Sequence, residues 1–419
     1  MPLLFLYSLL YRPLIVLVRL LSPFYKKIQK GLNLRKKHNG EYPWLQYPEK
    51  SAPLWFHCAS GELEYAKPIL RLIKQKFPEQ KIMVTYFSPS VEPALRKNKD
   101  VDFFCPTPWD TASHWREFIE HHRPKALLIA RTDLWPSMLQ ECRQAQIPAL
   151  LFSKTVNTRK GFFANAWEGP LLQYLSDIFC VSVEDKSLLE SHFPELHRVH
   201  ATGDTRYDQC LHRITHKNPT KPLNNFNRPI FVAGSTWKKD EEILLPLMKN
   251  QIRKISFIIA PHEPTPSHLK QLCDNLKTLK VPFQIYSKTN NWDPESVLII
   301  DQVGILADLY SWGRYAYVGG AMEKSVHSVM EPLALGLTTF IGPFHTNNRE
   351  ALEFQKLSFS GLAPVQIVDS ADSLSQKFSN VDQHWTNHHA MDIQMEVKKR
   401  AGASKVVLQW IDNQKSPPS

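Results

Sequence analysis

Three segments of the chain place carboxylates, hydroxyls or glycines directly after a short apolar run. The first is HCASGELEYAKPIL at residues 57–70. A helix is predicted to begin near Ser60, so that Ser60 and Gly61 leave backbone amides open and Glu62 falls in the first helical turn. A carboxylate there can accept the proton of an attacking hydroxyl group. Helix capping explains the same residue types, and on these residues alone capping is the favoured interpretation.

The second segment is AGSTWKKDEEI at 233–243, where an apolar run ends in Gly-Ser-Thr before a predicted helix. Ser235 and Thr236 would add hydroxyl groups to the open amides of that helix, and this combination can bind an anion. Many turns between a strand and a helix have this composition without binding an anion, so both interpretations stay open.

The third segment, YVGGAMEKSVHSVMEPLALG at 317–336, combines glycines with a histidine and a carboxylate. Gly319 and Gly320 would let the backbone approach a phosphate closely. His327 could donate to a phosphate or a sugar acid, and Glu331 could accept both hydroxyls of a ribose. First-turn dipole chemistry is the alternative for Glu331. Binding is favoured here because all four groups converge on the end of one predicted strand.

Sequence patterns for a metal or another cofactor are weak, and none is predicted. Asp100–Asp102 is a DxD motif, but two acids are common where a loop enters a strand. His121–His122 and His388–His389 are interpreted as solvated helix ends. The sequence contains no HExxH, P-loop or GxGxxG motif. The six cysteines form no CxxC pair, which favours a reducing cytosol over a disulfide scaffold.

These segments require strands and helices that bring their ends together. Short apolar runs alternate with helix-like stretches between residues 54 and 201, and the alternation restarts at residue 230. Such alternation predicts parallel sheets, with ligands bound beyond the carboxyl ends of the strands. The predicted strands are 54–58, 81–87, 126–130, 147–152, 178–183, 230–234, 256–261, 297–301, 315–320 and 338–343.

The chain of 419 residues is long enough for two or three domains. Residues 214–229 hold three prolines and four asparagines and interrupt the alternation, so they are predicted to be a linker. The fold class expected is α/β, with two doubly wound domains at 41–213 and 230–419 that face a cleft. The first 40 residues form a separate segment. A return of the last helix to the N-terminal domain stays open.

The basic charge is concentrated in the N-terminal segment. The net charge is +11, and residues 1–40 contain eight basic residues and no acidic one. The rest of the chain is near neutral, which argues against nucleic-acid binding. Ser8, Arg12, Arg19, Lys26 and Lys30 are spaced as one polar stripe on an otherwise apolar helix, which suits an anionic membrane surface. Docking on the protein's own core is the alternative, and membrane association is favoured over it.

Taken in order, these segments resemble one family, the 3-deoxy-D-manno-octulosonic acid (Kdo) transferases of lipid A synthesis. The similarity runs along nearly the whole chain, and it depends on the order and spacing of short motifs. The motifs are WFHCASGELE (55–64), TYFSPS (85–90), RTDLWPSML (131–139), TGDTRYD (202–208), AGSTW (233–237), IIAPHEP (258–264), YVGGAMEKSVHSVMEPLALG (317–336) and GPFHTNNRE (342–350).

The resemblance implies two Rossmann-like domains in the GT-B arrangement and an inverting transfer of Kdo from CMP-Kdo to the lipid A precursor lipid IVA, without a metal or cofactor. It implies acceptor binding by the N-terminal domain, CMP-Kdo binding by the C-terminal domain, and a location at the cytoplasmic face of the inner membrane. Glu62 would be the general base, with Asp133 as the next catalytic candidate. The substrate-binding residues implied are Ser60, Gly61, Arg206, Ser235, Thr236, His262, Gly304, Gly319, Gly320, His327, Glu331 and Asn347.

The sequence departs from the usual motifs of that family at several positions. Arg131 stands where an acid or another residue is usual, and asparagine is usual in place of both Ser137 and Ser328. One residue is missing between Ser60 and Gly61. These changes affect the geometry of the base and the affinity for the donor more than the fold. Two other functions stay open: a different GT-B transferase acting on a lipid acceptor, and a degenerate member that binds without turnover.

Overall fold

The computed structural model describes residues 2–37, 40–156, 162–216 and 228–414. The chain divides into two compact units, unit 1 (Met1–Gln209 and Ala401–Ser419) and unit 2 (Cys210–Arg400). Each unit contains one parallel sheet of seven strands. The strands are, in unit 1, β1 (Leu54–His57), β2 (Ile82–Tyr86), β3 (Phe103–Pro106), β4 (Ala126–Ala130), β5 (Ala149–Lys154), β6 (Asp177–Cys180) and β7 (Val199–Ala201), and, in unit 2, β8 (Ile230–Thr236), β9 (Ser256–Pro261), β10 (Phe283–Ile285), β11 (Val297–Ile299), β12 (Tyr315–Val318), β13 (Thr338–Ile341) and β14 (Val365–Ile367).

Helices occupy most of the segments between the strands. They are α1 (Pro2–Leu21), α2 (Lys26–Leu34), α3 (Leu63–Lys76), α4 (Glu92–Arg96), α5 (Ala112–His122), α6 (Pro136–Gln144), α7 (Phe162–Leu172), α8 (Val183–His192), α9 (Thr205–Thr215), α10 (Lys238–Gln251), α11 (Pro266–Thr278), α12 (Leu306–Tyr310), α13 (Met330–Ala334), α14 (Arg349–Phe354), α15 (Ala371–His384), α16 (Asn387–Lys399) and α17 (Ala403–Asn413). The predicted linker at 214–229 falls largely on residues 217–227, which lie outside the described residues.

The sheet of unit 1 has the strand order β3-β2-β1-β4-β5-β6-β7. Every residue of β1, β2, β4 and β5 is buried. Burial on both faces explains why these strands are continuous apolar runs rather than alternating ones. The order reverses between β1 and β4. A doubly wound sheet binds its ligand at such a switch point, outside the carboxyl ends of the strands.

The sheet of unit 2 has the strand order β10-β11-β9-β8-β12-β13-β14. Its order reverses between β8 and β12, which pair in parallel with Val318 opposite Gly234. The carboxyl ends of these two strands therefore meet at the switch point of unit 2. The segments 233–243 and 317–336, which carry the hydroxyl and glycine motifs, both start there.

The chain returns to unit 1 after unit 2 is complete. Val407 and Trp410 of α17 are buried in the same core as the apolar face of α3. Asp208 holds the start of this helix, because its carboxylate accepts the backbone amides of Gly402 at 2.8 Å and Ser404 at 3.0 Å. Unit 1 is therefore built from two separate stretches of the chain.

The N-terminal segment forms two helices rather than one, and the predicted continuous polar stripe is wrong. A 3-10 turn at Ser22–Phe24, with a proline in its first turn, separates α1 from α2. The chain direction therefore changes between Arg19 and Lys26. One face of α1 packs against the rest of unit 1, where the Tyr7 hydroxyl donates to the Asp110 carboxylate at 2.8 Å.

Other side chains of α1 and the following turn remain exposed, and most of them are large and apolar. They are Leu9, Leu10, Leu14, Val16, Leu17, Leu20, Leu21, Phe24 and Tyr25. Within the described residues, no helix combines the length and the apolar character needed to cross a bilayer. Helix α1 thus contacts the rest of unit 1 with one face and exposes apolar side chains on another.

Two further expectations are wrong in detail. The helix after β1 begins at Leu63 rather than near Ser60, so Glu62 is its N-cap residue and precedes the first turn. The reason is a tight turn in which the Ser60 amide donates to the Glu62 carboxylate at 2.7 Å. His122 and His389 are fully buried rather than solvated.

Each buried histidine is stabilised by an acceptor or donor that the sequence pattern does not reveal. His122 Nε2 contacts the carbonyl oxygen of Trp44 at 2.6 Å. His389 Nε2 contacts the hydroxyl of Thr338 at 3.0 Å. Burial disfavours the charged imidazolium and so lowers the pKa of both histidines, that of His122 to about 4.

Candidate functional site

A cavity of about 490 Å³ lies at the switch point of unit 2. Strand β8, the loop before α12, α12 itself, the end of α9 and the loop before α13 all contribute to it. Its lining is Arg213, His216, Ser235, Gly304, Leu306, Ala307, Asp308, Tyr310, His327, Ser328 and Glu331. Four residues predicted to bind substrate, Ser235, Gly304, His327 and Glu331, therefore share one cavity.

Glu331 lies in the first turn of α13 and points to this cavity. One of its carboxylate oxygens accepts from Arg213 Nη1 at 2.8 Å, and the other accepts from the Ser328 hydroxyl at 2.6 Å. The side chain is 14% exposed. Both oxygens thus already act as acceptors for donors at the cavity wall, which is the arrangement that a ribose diol would require.

Gly319 and Gly320 are required by backbone packing around the cavity. A Cβ atom on Gly319 would lie 2.3 Å from the Ser235 carbonyl oxygen and 2.7 Å from Thr236 Cα. Gly320 has a φ of +98°, and a Cβ atom there would lie 2.4 Å from the Ser325 carbonyl oxygen. The turns after β8 and β12 can therefore pack against each other only because these two residues have no side chain.

Asp240 organises both turns, and sequence reasoning missed it. Its buried carboxylate accepts the amides of Trp237 and Gly320, each at 2.9 Å, and the hydroxyl of Tyr317 at 2.8 Å. Burial nevertheless raises the pKa of Asp240, although these three donors oppose the shift. The amides of Trp237 and Gly320 are engaged by the protein itself, so the turns are positioned before any ligand binds.

Two histidine rings stack beside the cavity. The rings of His262 and His327 lie 4.2 Å apart at an angle of 14°, and Trp237 stacks on His262 at 5.0 Å. Burial and the neighbouring His262 lower the pKa of His327. His327 is therefore mainly neutral at neutral pH, and an anion in the cavity would favour its protonation.

Five predicted binding residues of unit 2 do not line the cavity: Gly319, Gly320 and His262, which lie beside it as described above, and Thr236 and Asn347. Thr236 is buried, and its hydroxyl donates to Glu241 at 3.0 Å. Asn347 is exposed in the loop before α14. The adjacent Asn348 is closer to the site, because its side-chain amide donates to the His327 carbonyl at 3.2 Å.

In unit 1, Glu62 lies after the carboxyl end of β1, at the switch point. Its Oε2 accepts the Ser60 amide, and no donor within the described part of the chain contacts Oε1. A Cβ atom on Gly61 would meet no atom within 4 Å, so this glycine faces open space. Cys58 is fully buried, and burial raises the pKa of its thiol. Glu62 is thus the partly exposed reactive group of this turn.

Asp133 follows β4, the other strand of the switch point, and pairs with a buried histidine. His57 Nε2 lies 2.7 Å from its Oδ2, and Trp135 Nε1 donates to the same oxygen at 3.0 Å. Burial raises the pKa of Asp133, but these hydrogen bonds outweigh burial and the net effect lowers it. Asp133 therefore stays ionised and is already engaged as an acceptor.

The tautomer of His57 follows from a chain of donors. Trp55 Nε1 can only donate, and it donates to the Thr85 hydroxyl at 2.9 Å. The ionised carboxylate of Asp133 can only accept, so a neutral His57 carries its proton on Nε2 and donates to Asp133. His57 Nδ1 then accepts from the Thr85 hydroxyl, which lies 2.9 Å away. Apart from a histidine at a strand end, no sequence pattern indicates this series of hydrogen bonds.

Arg206, at the start of α9, lies beside Tyr65 and a second arginine. Arg206 Nη1 donates to the Tyr65 hydroxyl at 3.3 Å, and Arg131 Nη1 donates to the same oxygen. Sequence reasoning named Arg206 as substrate-binding and treated Arg131 only as a motif departure. The structure brings both residues to the same edge of the unit 1 sheet.

The described residues contain no group of three or more His, Cys, Asp or Glu side chains arranged for a metal ion. The DxD motif has a structural use, because Asp102 pairs with Lys74 at 2.7 Å and accepts the Ile82 amide at 2.9 Å. Its carboxylate connects α3 with the start of β2.

Comparison with known proteins gives a consistent family relation. Residues 33–209 match the family model of the 3-deoxy-D-manno-octulosonic-acid transferase (kdotransferase). The chain is 25% identical over 340 residues to the 3-deoxy-D-manno-octulosonic acid transferase of Haemophilus influenzae, covering 77% of each protein. It is 26% identical over 338 residues to the protein of the same name from Aquifex aeolicus, covering 78% of this chain and 86% of that one.

Among solved structures, the UDP-GlcNAc 2-epimerase of Neisseria meningitidis bound to UDP-GlcNAc has the same fold. It superposes with a TM-score of 0.59 at 16% identity, over 86% of this chain and 99% of that one. This likeness concerns the fold and agrees with the two predicted Rossmann-like sheets. The family model and the relatives confirm the predicted resemblance: over most of its length, the chain is similar to proteins named 3-deoxy-D-manno-octulosonic acid transferase, which are glycosyltransferases.

Proposed function

We propose that this protein transfers Kdo from CMP-Kdo to the lipid A precursor lipid IVA, with inversion at the anomeric carbon and without a bound metal. The observation that carries the proposal is the cavity of unit 2, where Glu331 presents two carboxylate oxygens beside Ser235 and His327. These groups suit a ribose diol and a phosphate. The relatives over most of the chain are named for Kdo transfer.

CMP would bind through its two polar ends. The ribose hydroxyls would take the place of the Arg213 and Ser328 donors on Glu331. The phosphate would meet the Ser235 hydroxyl and the His327 imidazole, which becomes a better donor when it is protonated. Fixed donors around the leaving phosphate stabilise the charge that develops as the bond to Kdo breaks.

The acceptor would bind unit 1 with its reacting hydroxyl next to Glu62. The hydroxyl oxygen forms the new bond to the anomeric carbon of Kdo, the bond from that carbon to the phosphate oxygen breaks, and CMP leaves with the electron pair. Glu62 takes the hydroxyl proton through Oε1, while the Ser60 amide holds Oε2. Asp133 is a weaker candidate for the base, because His57 and Trp135 already donate to it.

We also propose that the N-terminal helices hold the protein on the cytoplasmic face of the inner membrane. The exposed apolar side chains of α1 would enter the interface, and Arg19, Lys26 and Lys30 would meet lipid phosphates. Tyr7 and Tyr11 keep this surface attached to unit 1 through Asp110. An anchor of this kind would keep the acceptor-binding unit close to a lipid substrate.

Incubation of the purified protein with CMP-Kdo and tetra-acylated disaccharide bisphosphate, followed by mass spectrometry, tests the proposed reaction. We expect a product heavier by one or more Kdo residues. Parallel incubations with UDP-sugars test the other GT-B activities. Product from a UDP-sugar alone would replace the proposal, and CMP binding without any product would indicate the degenerate, non-catalytic function.

Deletion of residues 1–40 tests the anchor. The truncated protein should move from the membrane pellet to the supernatant, whereas high salt should release the full chain only partly because apolar burial persists. Sedimentation with membranes that is unchanged by the deletion would contradict the anchor, and it would leave the proposed reaction untouched.

A further inference from the structure

The first turn of α6 is capped by a carboxylate that lies outside the helix. The side chain of its N-cap residue, Trp135, makes no capping hydrogen bond, and Pro136 at the first helical position has no amide. The turn therefore leaves the amides of Ser137 and Met138 open. The buried carboxylate of Asp110 accepts both of them, each at 3.1 Å. Asp110 thus provides the cap that the helix's own residues do not.

The N-terminal helix α1 holds this capping carboxylate. The Tyr7 hydroxyl donates to Asp110 Oδ2 at 2.8 Å, and Trp115 Nε1 donates to Oδ1 at 2.7 Å. The Asp110 amide in turn donates to the Tyr11 hydroxyl at 2.9 Å. Each carboxylate oxygen therefore accepts one side-chain donor and one amide of α6, and α1 supplies the side-chain donor of Oδ2.

The charge of Asp110 depends on these donors because its side chain is buried. Burial raises the pKa of Asp110. Four hydrogen bonds oppose that shift, and their donors are Tyr7, Ser137, Trp115 and Met138. Without the Tyr7 hydroxyl, Oδ2 keeps only the Ser137 amide, and a buried carboxylate that lacks a donor is destabilised. We therefore expect the carboxylate, and the helix start that it caps, to shift when this donor is removed.

The start of α6 also sets the position of Asp133 at the switch point of unit 1. Trp135 Nε1 donates to Asp133 Oδ2 at 3.0 Å, and His57 Nε2 contacts the same oxygen at 2.7 Å. Within the described residues, no donor contacts Oδ1 of Asp133, whose side chain is 29% exposed. An ionised carboxylate oxygen of this kind can accept a sugar hydroxyl. A shift of Trp135 moves that oxygen, because both residues belong to the short loop before α6.

We infer that Tyr7 is a positioning residue of the acceptor site: its hydrogen bond to Asp110 fixes the start of α6 and thereby the Asp133 oxygen that accepts a hydroxyl of the acceptor sugar. This inference rests on the proposed function. It gives α1 a second task, because the contact that attaches α1 to unit 1 also supports the site where the acceptor sugar binds. A displacement of about 1 Å at such a site can cost roughly 100-fold in rate, even when the substitution is distant.

The test uses a water-soluble acceptor, the deacylated disaccharide bisphosphate, and no membrane. Loss of a membrane tether does not affect turnover of such an acceptor, so a change reports on the site itself. The full-length Tyr7→Phe variant should lose about 10-fold in kcat/KM for this acceptor, a part of the loss that full misplacement causes. Its KM for CMP-Kdo should stay unchanged. Its sedimentation with membranes should also stay unchanged, because the rings of Tyr7 and Trp167, 5.3 Å apart, still pack.

A double-mutant cycle shows whether Tyr7 acts through Asp133. If it does, adding Tyr7→Phe to Asp133→Asn should lower kcat/KM no further than Asp133→Asn alone. Losses that multiply in the double variant would assign Tyr7 a general structural role and overturn the inference. An unchanged kcat/KM in the Tyr7→Phe single variant would leave α1 as a tether only and overturn it as well.

Tyr47→Phe is the matched control. It also removes one tyrosine hydroxyl of unit 1, but that hydroxyl donates to the carbonyl oxygen of Phe104 in β3, at 2.6 Å, rather than to the cap of α6. Its kcat/KM for the soluble acceptor should equal that of the wild-type chain. An equal fall in Tyr47→Phe and Tyr7→Phe would show a general effect of hydroxyl loss and would overturn the inference.

Measurements without CMP-Kdo separate this inference from the proposed function. In Tyr7→Phe, the amides of Ser137 and Met138 should exchange hydrogen faster, and calorimetry should show weaker binding of the deacylated disaccharide bisphosphate. Both changes in a protein that transfers no Kdo would retain the positioning role and reject the transfer reaction. Unchanged binding in Tyr7→Phe would reject the positioning role, whether or not Kdo is transferred. Absence of binding by the wild-type chain would reject both.

Discussion

The two switch points of the chain have the same topology, but backbone atoms define the one in unit 2 and side chains define the one in unit 1. In unit 2, the turns after β8 and β12 are locked by glycines and by the Asp240 carboxylate, so the backbone defines the site. In unit 1, Gly61 faces open space, and the groups proposed for catalysis are the side chains of Glu62 and Asp133.

This difference matches the two tasks that we propose for the units. A nucleotide carries the same ribose and phosphate in every turnover, and a rigid backbone cavity suits a constant ligand. A reacting hydroxyl needs a group that changes protonation, and only a side chain can supply it. The comparison therefore predicts that substitutions in unit 1 mainly affect turnover, and that substitutions in unit 2 mainly affect nucleotide binding and folding.

The largest expected effect is on turnover in unit 1. Glu62→Gln should reduce kcat by about 10²- to 10⁴-fold, because the amide cannot accept the hydroxyl proton. CMP affinity, measured by calorimetry, should be unchanged. Glu64→Gln is the matched control, since Glu64 lies two residues further along α3 and pairs with Lys67. Near-normal turnover in Glu62→Gln would transfer the role of base to Asp133.

The next effect is on nucleotide binding in unit 2. Glu331→Gln should weaken CMP binding by about 10- to 100-fold, because charge-assisted hydrogen bonds contribute about 1.5–3 kcal/mol each. Calorimetry with CMP checks this, and Glu323→Gln in the exposed part of the same loop should bind normally. Equal affinity in both variants would return Glu331 to a role at the helix start.

A pair of glycine substitutions tests the backbone difference directly. Gly319→Ala should lower the free energy of unfolding by about 1–3 kcal/mol, because its Cβ atom would overlap the turn at Ser235. Gly61→Ala should leave the free energy of unfolding nearly unchanged. Urea denaturation of both variants measures this. Equal losses would show that the two turns are equally constrained and would remove the contrast between the units.

The smallest expected effect is on the pH dependence of the free energy of unfolding. It has opposite signs for Asp133 in unit 1 and Asp240 in unit 2. The pKa of Asp133 is lowered in the folded state, so its stabilising contribution is present above the ordinary aspartate pKa and is lost as pH falls through the lowered value. The pKa of Asp240 is raised, so its contribution is largest at low pH and is lost as pH rises through the raised value.

Urea denaturation at several pH values between 3 and 6 checks this contrast. The stability difference between wild type and Asp133→Asn should grow as pH rises. The corresponding difference for Asp240→Asn should shrink over the same range. If both stability differences shrank as pH rises, the hydrogen bonds to Asp133 would not outweigh the effect of burial on its pKa.

Much of the fold could be predicted from the sequence because it depends on local patterns. Continuous apolar runs separated by helix-like stretches predicted both parallel sheets, and strand ends predicted the edges where Glu62 and Glu331 lie. The short strands β7, β10 and β14 were not predicted, because three residues at a sheet edge carry too little pattern. The break between α1 and α2 was missed because the polar spacing continues across Pro23.

The contacts of the candidate site were less predictable, because they join residues that are distant in the sequence. Arg213 meets Glu331 across 118 positions, and His57 meets Asp133 across 76. Neither pair has a local signature. The position of Arg131 is a further example: its side chain contacts Tyr65 from a backbone in the left-handed conformation after β4, and no residue-type preference predicts that conformation for arginine.

The return of α17 to unit 1 has a consequence for synthesis of the protein on the ribosome. Translation delivers Met1–Gln209 first, but the helix that covers the apolar face of α3 emerges only after all of unit 2. Until then α3 exposes the surface that Val407 and Trp410 later bury. The nascent N-terminal unit therefore stays incomplete and prone to aggregation until α17 has been synthesised, whereas unit 2 can fold before that point.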